Sequence, residues 1–157
     1  MHPALDSHPP ITISTLHVEP WPDPVIDAVG FDYRSPYLEF WLPVLGPSVC
    51  WLLRRISLGL EAHPAGFALD LEETAQALGL GAGTGRNSVI RRTIQRAVRY
   101  DLAQQRPGDV LAVRRRLAPL ALRHLRRLPD SLQRDHEAWL AAHRPRRPAP
   151  GIVEAGR

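Results

Sequence analysis

Apolar residues recur at helical spacing in two neighbouring stretches of the chain. Over residues 48–60 they fall at i, i+3, i+4 and i+7, which predicts a helix that begins at a capping Ser48. Asp70 followed by Glu73 is a variant of the capping box and predicts a second helix. Between the two helices, the alternating segment 67–69 predicts a short strand.

A third helix follows a glycine-rich loop at residues 81–87. We place it over about 87–101, with either Asn87 or Ser88 as its cap, because its aliphatic residues share one face. After it, two short segments flank a Pro-Gly-Asp turn and predict a β-hairpin over about 102–113.

Two more helices are predicted beyond the hairpin. Pro119 stands at a first-turn position of a helix that extends to Leu128, and a final helix contains Leu132 and Trp139. We therefore expect a fold that is mainly α with a small β-hairpin, flanked by an N-terminal aromatic extension and C-terminal helices.

The segments outside this helical region differ from it in composition. Six of the sixteen prolines fall within the first 24 residues, and seven of the ten aromatic residues lie between Trp21 and Trp51. The aromatic segment packs either on the domain or on a dimer partner, because aromatic residues are enriched at interfaces. The sequence predicts a flexible proline-rich arm (1–24), an aromatic-rich extension (25–47), a central domain (48–128), a C-terminal helix (129–143) and a disordered Arg/Pro/Gly tail (144–157).

Charge is distributed very unevenly along the chain. Residues 1–85 contain three arginines and ten acidic residues, whereas residues 86–127 contain twelve arginines and two acidic residues. All twenty basic residues are arginine, a bias that a GC-rich coding sequence also explains. A basic block beside an acidic half indicates an oriented surface that meets a polyanion.

The third helix concentrates that positive charge on one face. At 100° per residue its four arginines and two polar residues occupy one half of the helix, and its aliphatic residues occupy the other. A helix face with this many charges is more often simply exposed to solvent. Such solvated faces, however, usually contain glutamate as well as arginine. Here no acid relieves the repulsion, and DNA phosphates and guanine edges match the geometry of arginine.

The segment that leads into this helix resembles a helix-turn-helix. Leu71, Ala75, Leu78 and Gly79 stand at the spacing of its core, with a small residue where two helices approach and a glycine in the turn. With the preceding helix, the strand and the hairpin, the pattern over about 47–128 resembles the winged helix-turn-helix superfamily of bacterial regulators. The turn is longer here than the usual three or four residues.

This resemblance implies that the helix over 87–101 is the recognition helix and that the hairpin over 102–113 is the wing. The residues at the start of the helix would lie nearest to bases and phosphates, and those further along would contact the backbone. The expected DNA-binding residues are Arg86, Asn87, Ser88, Arg91, Arg92, Gln95, Arg96, Arg99, Arg106 and Arg114.

Other classes of function find no support in the residues. The glycines of the 81–87 loop are spaced GxGxG, which fits neither a dinucleotide fingerprint nor a P-loop. The seven histidines form no ligand set, and Cys50 lies within an apolar helix. We expect no enzymatic activity, no cofactor and no metal. Because no basic residue precedes Arg34, we expect no signal peptide and a cytoplasmic, nucleoid-associated protein.

Two functions of different classes remain. The first is a sequence-specific double-stranded DNA-binding protein that regulates transcription as a homodimer, because specific sites usually consist of two half-sites. The alternative is a winged-helix module for protein–protein interaction with weak or no DNA binding. Its partner would contact the aromatic segment 31–41 or the acidic N-terminal half. RNA binding is less well supported, since the aromatic residues lie apart from the basic helix.

Overall fold

The computed structural model describes residues 14–143. About half of them are helical, and four strands form one mixed sheet, so the fold is of α/β type with more sheet than the single hairpin that the sequence predicts. In chain order the elements are β1 (Thr15–Trp21), α1 (Pro24–Val29), α2 (Leu38–Leu45), α3 (Pro47–Ala62), β2 (Phe67–Asp70), α4 (Leu71–Ala77), α5 (Val89–Arg99), β3 (Ala103–Arg106), β4 (Val110–Arg114), α6 (Leu122–Leu125) and α7 (Asp130–Ala142).

Strand β1 lies inside the sheet, whose order is β2-β1-β4-β3. It pairs antiparallel with β2 and parallel with β4, so Val18 stands opposite both Phe67 and Leu111. Leu16 and Val18 are buried, while His17 between them is exposed. This alternation is that of a strand with one buried face.

The prediction of a flexible arm over residues 1–24 is therefore wrong for the segment that forms β1. The burial of Leu16 and Val18 and the pairing on both edges offset the entropy lost when this segment becomes ordered. Residues 1–13 of the predicted arm and the predicted tail over 144–157 lie outside the described residues.

Local chemistry determines where the central helices begin. Helix α3 begins at Pro47, whose fixed φ suits the first helical position, after Gly46 with a φ of 82°. Ser48 lies inside the first turn, so its predicted role as the cap is wrong. At α4 the predicted cap is confirmed, since the Asp70 carboxylate accepts a hydrogen bond from the Glu73 N–H at 3.0 Å.

The third predicted helix and the hairpin are both present. Ser88, rather than Asn87, caps α5, and its hydroxyl accepts a hydrogen bond from the Arg91 N–H at 3.4 Å. The helix is two residues shorter at each end than predicted, and the hairpin extends to Arg114.

The aromatic extension packs on the domain, which is the first of the two interpretations drawn from the sequence. Tyr33, Tyr37, Phe40 and Trp41 are buried within the chain. The rings of Phe31 and Tyr37 stack with centroids 3.9 Å apart. These side chains are part of the hydrophobic core rather than of an exposed surface.

The segment after the hairpin differs from the prediction. Only α6 forms where a helix from Pro119 to Leu128 was expected. The Ala118 carbonyl accepts a hydrogen bond from the Trp41 indole N–H at 2.8 Å, and the Leu120 N–H donates to the Tyr37 hydroxyl at 2.9 Å. These contacts with the aromatic extension hold residues 118–120 outside a helix. The final helix is confirmed as α7.

A short hydrogen-bond chain joins this segment to α7. The Tyr37 hydroxyl accepts from the Leu120 N–H and lies 2.9 Å from Nε2 of the buried His136. The phenol can donate to Nε2 only while that nitrogen carries no proton. Burial lowers the pKa of His136 from its ordinary value of 6.5, which keeps the imidazole neutral in the folded protein.

Tyr37→Phe is expected to lower the free energy of unfolding by about 1–3 kcal/mol, because it leaves the Leu120 N–H and the His136 Nε2 buried without their partner. Chemical denaturation measures the change. Tyr100→Phe is the matched control, since no hydrogen bond of its hydroxyl is seen within residues 14–143; equal stability of the two variants would contradict this account.

The free energy of unfolding is also expected to decrease as the pH falls below the ordinary pKa of histidine. The unfolded chain takes up a proton at His136 before the folded chain does, because the folded pKa is lowered. The contribution of His136 to the free energy of unfolding is therefore fully present above about pH 6.5 and decreases as the pH falls below that value. Denaturation curves between pH 5 and 8 should show a steeper loss for the parent than for His136→Gln, and identical slopes would contradict the prediction.

Candidate nucleic-acid interface

The arginine-bearing face of α5 points to solvent because its opposite face is buried. Ile90, Thr93, Ile94 and Ala97 are buried, with Ile90 fully so. Residues on the other side of the helix at 100° per residue therefore project outward. Four of the predicted site residues lie exposed on this face, namely Arg92, Gln95, Arg96 and Arg99.

The residues before α5 contribute two exposed side chains. Arg86 and Asn87 are exposed, and Ser88 is the helix cap. Arg91 lies half-buried, and its Nε donates a hydrogen bond to the Thr84 carbonyl at 3.1 Å. Arg91 thus ties the glycine-rich loop to the first turn of α5.

Arg96 is bound to another part of the chain. Its Nε donates to the Leu45 carbonyl at 2.8 Å and its Nη2 to the Val44 carbonyl at 2.9 Å, and its guanidinium lies 5.5 Å from the centre of the Tyr100 ring. The last carbonyls of α2 have no partner within their own helix, so Arg96 satisfies them. This contact holds the corner between α2 and α3 against α5.

Arg106 and Arg114 are ion-paired within the molecule. Arg106 pairs with Glu19 of β1 at 2.5 Å. Arg114 pairs with Asp23 at 2.6 Å and lies 3.8 Å from the centre of the Trp21 ring. These contacts hold the hairpin against β1 and the start of α1.

The carboxylate of Asp23 is stabilised by two kinds of contact. A hydrogen bond from the Ile26 N–H, followed by the Arg114 guanidinium, lowers the pKa of Asp23. The same carboxylate caps α1. Arg114 is therefore a structural residue as well as a predicted DNA ligand.

An open groove runs between α5 and the α2–α3 corner. It has a volume of about 560 Å³, and Arg92, Gln95, Arg96 and Arg99 line one side of it. The opposite side consists of the turn and first residues of α3, including Pro47 and Ser48, and none of the described residues that line the groove carries a carboxylate. It is a positively charged channel along the exposed face of α5.

A smaller pocket adjoins the groove at the C-terminal end of α5. Its volume is about 220 Å³, and its polar lining residues are Arg96, Tyr100, His124 and Arg127. Desolvation, followed by Arg123 and Arg127, lowers the pKa of His124. Sequence reasoning missed His124 and Arg127, because α6 has no periodic relation to α5 and only long-range packing brings the two together.

Residues 14–143 contain neither a cluster of metal-ligating residues nor a helix able to cross a membrane. They contain no group of three or more His, Cys, Asp or Glu residues arranged to hold a metal ion. Cys50 is buried, and burial raises its pKa to about 11, which makes the thiolate scarce at neutral pH. In the same range, no helix has the length and apolar character needed to cross a membrane.

No protein-family model matches this chain, and neither a curated protein nor a solved structure matches it. The geometry of α5 and the two adjoining cavities therefore carries the functional argument.

Arg96→Ala is expected to reduce the free energy of unfolding by about 1 kcal/mol, because two carbonyls of α2 lose their charged donor. Arg92→Ala is the matched control on the same helix face and should change stability by less than about 0.5 kcal/mol. Thermal unfolding of both variants checks this. If both variants unfold at the same temperature as the parent, the structural role of Arg96 is wrong.

Proposed function

We propose that this protein binds double-stranded DNA through the exposed face of α5 and regulates transcription. The observation that carries the proposal is the set of exposed arginines on and before α5. Arg86, Arg92 and Arg99 form no ion pair within the described residues, and no carboxylate lines the groove beside them. Arginines gathered this closely repel one another, and duplex DNA supplies the phosphates that neutralise them.

The order of elements supports the same proposal. Helices α3, α4 and α5 followed by the β3–β4 hairpin match the order of a winged helix-turn-helix. Ala75 of α4 is fully buried, which allows α4 and α5 to approach closely. In this arrangement α5 is the recognition helix, and it enters the major groove of DNA. Strand β1 is an addition to the pattern.

The hairpin contributes less to binding than the sequence suggests. Arg106 and Arg114 pair with carboxylates of the β1 region, and the turn contains Asp109. A negative charge at the tip repels phosphate. We therefore assign base and phosphate contacts to α5 and a supporting role to the hairpin.

A homodimer is part of the proposal. One helix buries only a modest area of DNA, and two copies bound to adjacent half-sites give the affinity and specificity of a regulator. The site residues that we retain are Arg86, Asn87, Ser88, Arg92, Gln95 and Arg99.

The double variant Arg92→Ala/Arg99→Ala is expected to bind duplex DNA at least about tenfold more weakly than the parent. The slope of log K against log salt should fall by about 2, since two phosphate contacts are removed. Fluorescence anisotropy with a pool of genomic duplexes at several salt concentrations measures both quantities.

The control for this test is Arg55→Ala/Arg134→Ala, which removes the same charge from exposed positions on α3 and α7. It should bind within about twofold of the parent. If the α5 variant binds as tightly as this control, α5 is not the recognition helix.

The second candidate function is a protein-interaction module with weak or no DNA binding. It is favoured by Trp51 and Leu42, which are 56% and 41% exposed on neighbouring helices. Exposed aromatic residues are enriched at protein interfaces. A parent protein that binds no duplex even at low salt would support this function over DNA binding.

A further inference from the structure

The pocket at the C-terminal end of α5 gathers cationic and hydrogen-bonding groups from two parts of the chain. Arg96 and Tyr100 come from α5 and the residue that follows it, and His124 and Arg127 come from α6 and the segment just after it. The remaining lining residues are Pro43, Val44 and Leu128, so within residues 14–143 the pocket has no carboxylate in its lining.

Three contacts hold the guanidinium of Arg96 in place before any ligand arrives. Its hydrogen bonds to the Val44 and Leu45 carbonyls use two N–H groups, and the Tyr100 ring lies 5.5 Å away. Arginine has five N–H donors, so others remain for a ligand. A donor that is already oriented loses little entropy when it binds.

His124 is held by rings and surrounded by positive charge. Its imidazole lies 5.7 Å from the Tyr100 ring and 6.1 Å from the Trp41 ring. Arg96 of α5 and Arg127 line the pocket with it. Desolvation, followed by the charges of Arg123 and Arg127, lowers the pKa of His124 and so opposes its protonation. A bound anion reverses this effect, because it favours the protonated imidazole.

The size of the pocket limits the ligand to a small group. Its volume of about 220 Å³ lies below the range of about 300–1,000 Å³ typical of sites for whole cofactors or drug-sized ligands. An oxyanion with several acceptor oxygens matches its donors, and phosphate pairs well with arginine. The pocket also shares Pro43 and Arg96 with the groove along α5, so the two cavities adjoin.

We propose that this pocket binds one phosphate group of the DNA backbone, next to the segment that α5 reads. The inference rests on the proposed function and adds a second, sequence-independent contact to it. Phosphate contacts of this kind fix the register of a protein on the duplex. The contact comes from the α6 side of α5 and not from the hairpin.

The test follows the imidazole of His124 by NMR while either a short duplex or inorganic phosphate is added to the full chain. With the duplex, the His124 resonances should shift and the pKa of His124 should rise. Arg127→Gln should abolish the rise and weaken duplex binding about threefold to tenfold, with the salt slope reduced by about 1. Arg134→Gln is the matched control and should change neither quantity.

The outcomes separate this inference from the proposed function. If the duplex binds in a manner sensitive to Arg92 and Arg99 but leaves His124 unchanged, the pocket assignment is overturned and the proposed function stands. If inorganic phosphate shifts His124 and the duplex does not, the pocket serves a free anion and the backbone assignment is wrong. If no duplex binds at all, both proposals fail. A thermal melt of Arg127→Gln that matches the parent shows that the variant is folded.

Discussion

The burial of one side of α5 fixes the position of every charged residue on its other side. Ile90 and Ala97 are almost completely buried, and the helix cannot rotate without exposing them and bringing a guanidinium towards the core. An unpaired charge in that position is far more costly than the loss of apolar contact. The outward direction of Arg92 and Arg99 is therefore a consequence of core packing, and it leaves a cationic surface that the described part of the chain does not neutralise.

Five arginines of the basic block divide into two groups by their surroundings. Arg106 and Arg114 meet carboxylates of the acidic first half of the chain, and Arg96 meets the carbonyl end of α2. These contacts hold the hairpin and the α2–α3 corner in place. Arg92 and Arg99 face a groove without carboxylates. Arginine thus stabilises the fold at some positions and, in our proposal, contacts DNA at others.

Local patterns predicted the elements whose formation depends on nearby residues. Apolar periodicity and turn chemistry were enough to predict the caps of α4 and α5, the hairpin and α7. Strand β1 was missed, because its alternation is short, lies among prolines, and is stabilised by partners more than 45 residues away in the chain. The pairing of Arg114 with Asp23 and the approach of His124 to α5 were missed for the same reason. Spacing identifies a charged helix face, whereas only tertiary contacts decide which of its charges are already paired.

The most direct measurement records the arginine Nε–Hε resonances of the full chain while a duplex is added at low and at high salt. We expect the resonances of Arg92 and Arg99 to shift at low salt and these shifts to be lost at high salt. The resonances of Arg106 and Arg114 should stay in place because these two are ion-paired. Shifts centred on the hairpin arginines, or no shift at low salt, would contradict this account.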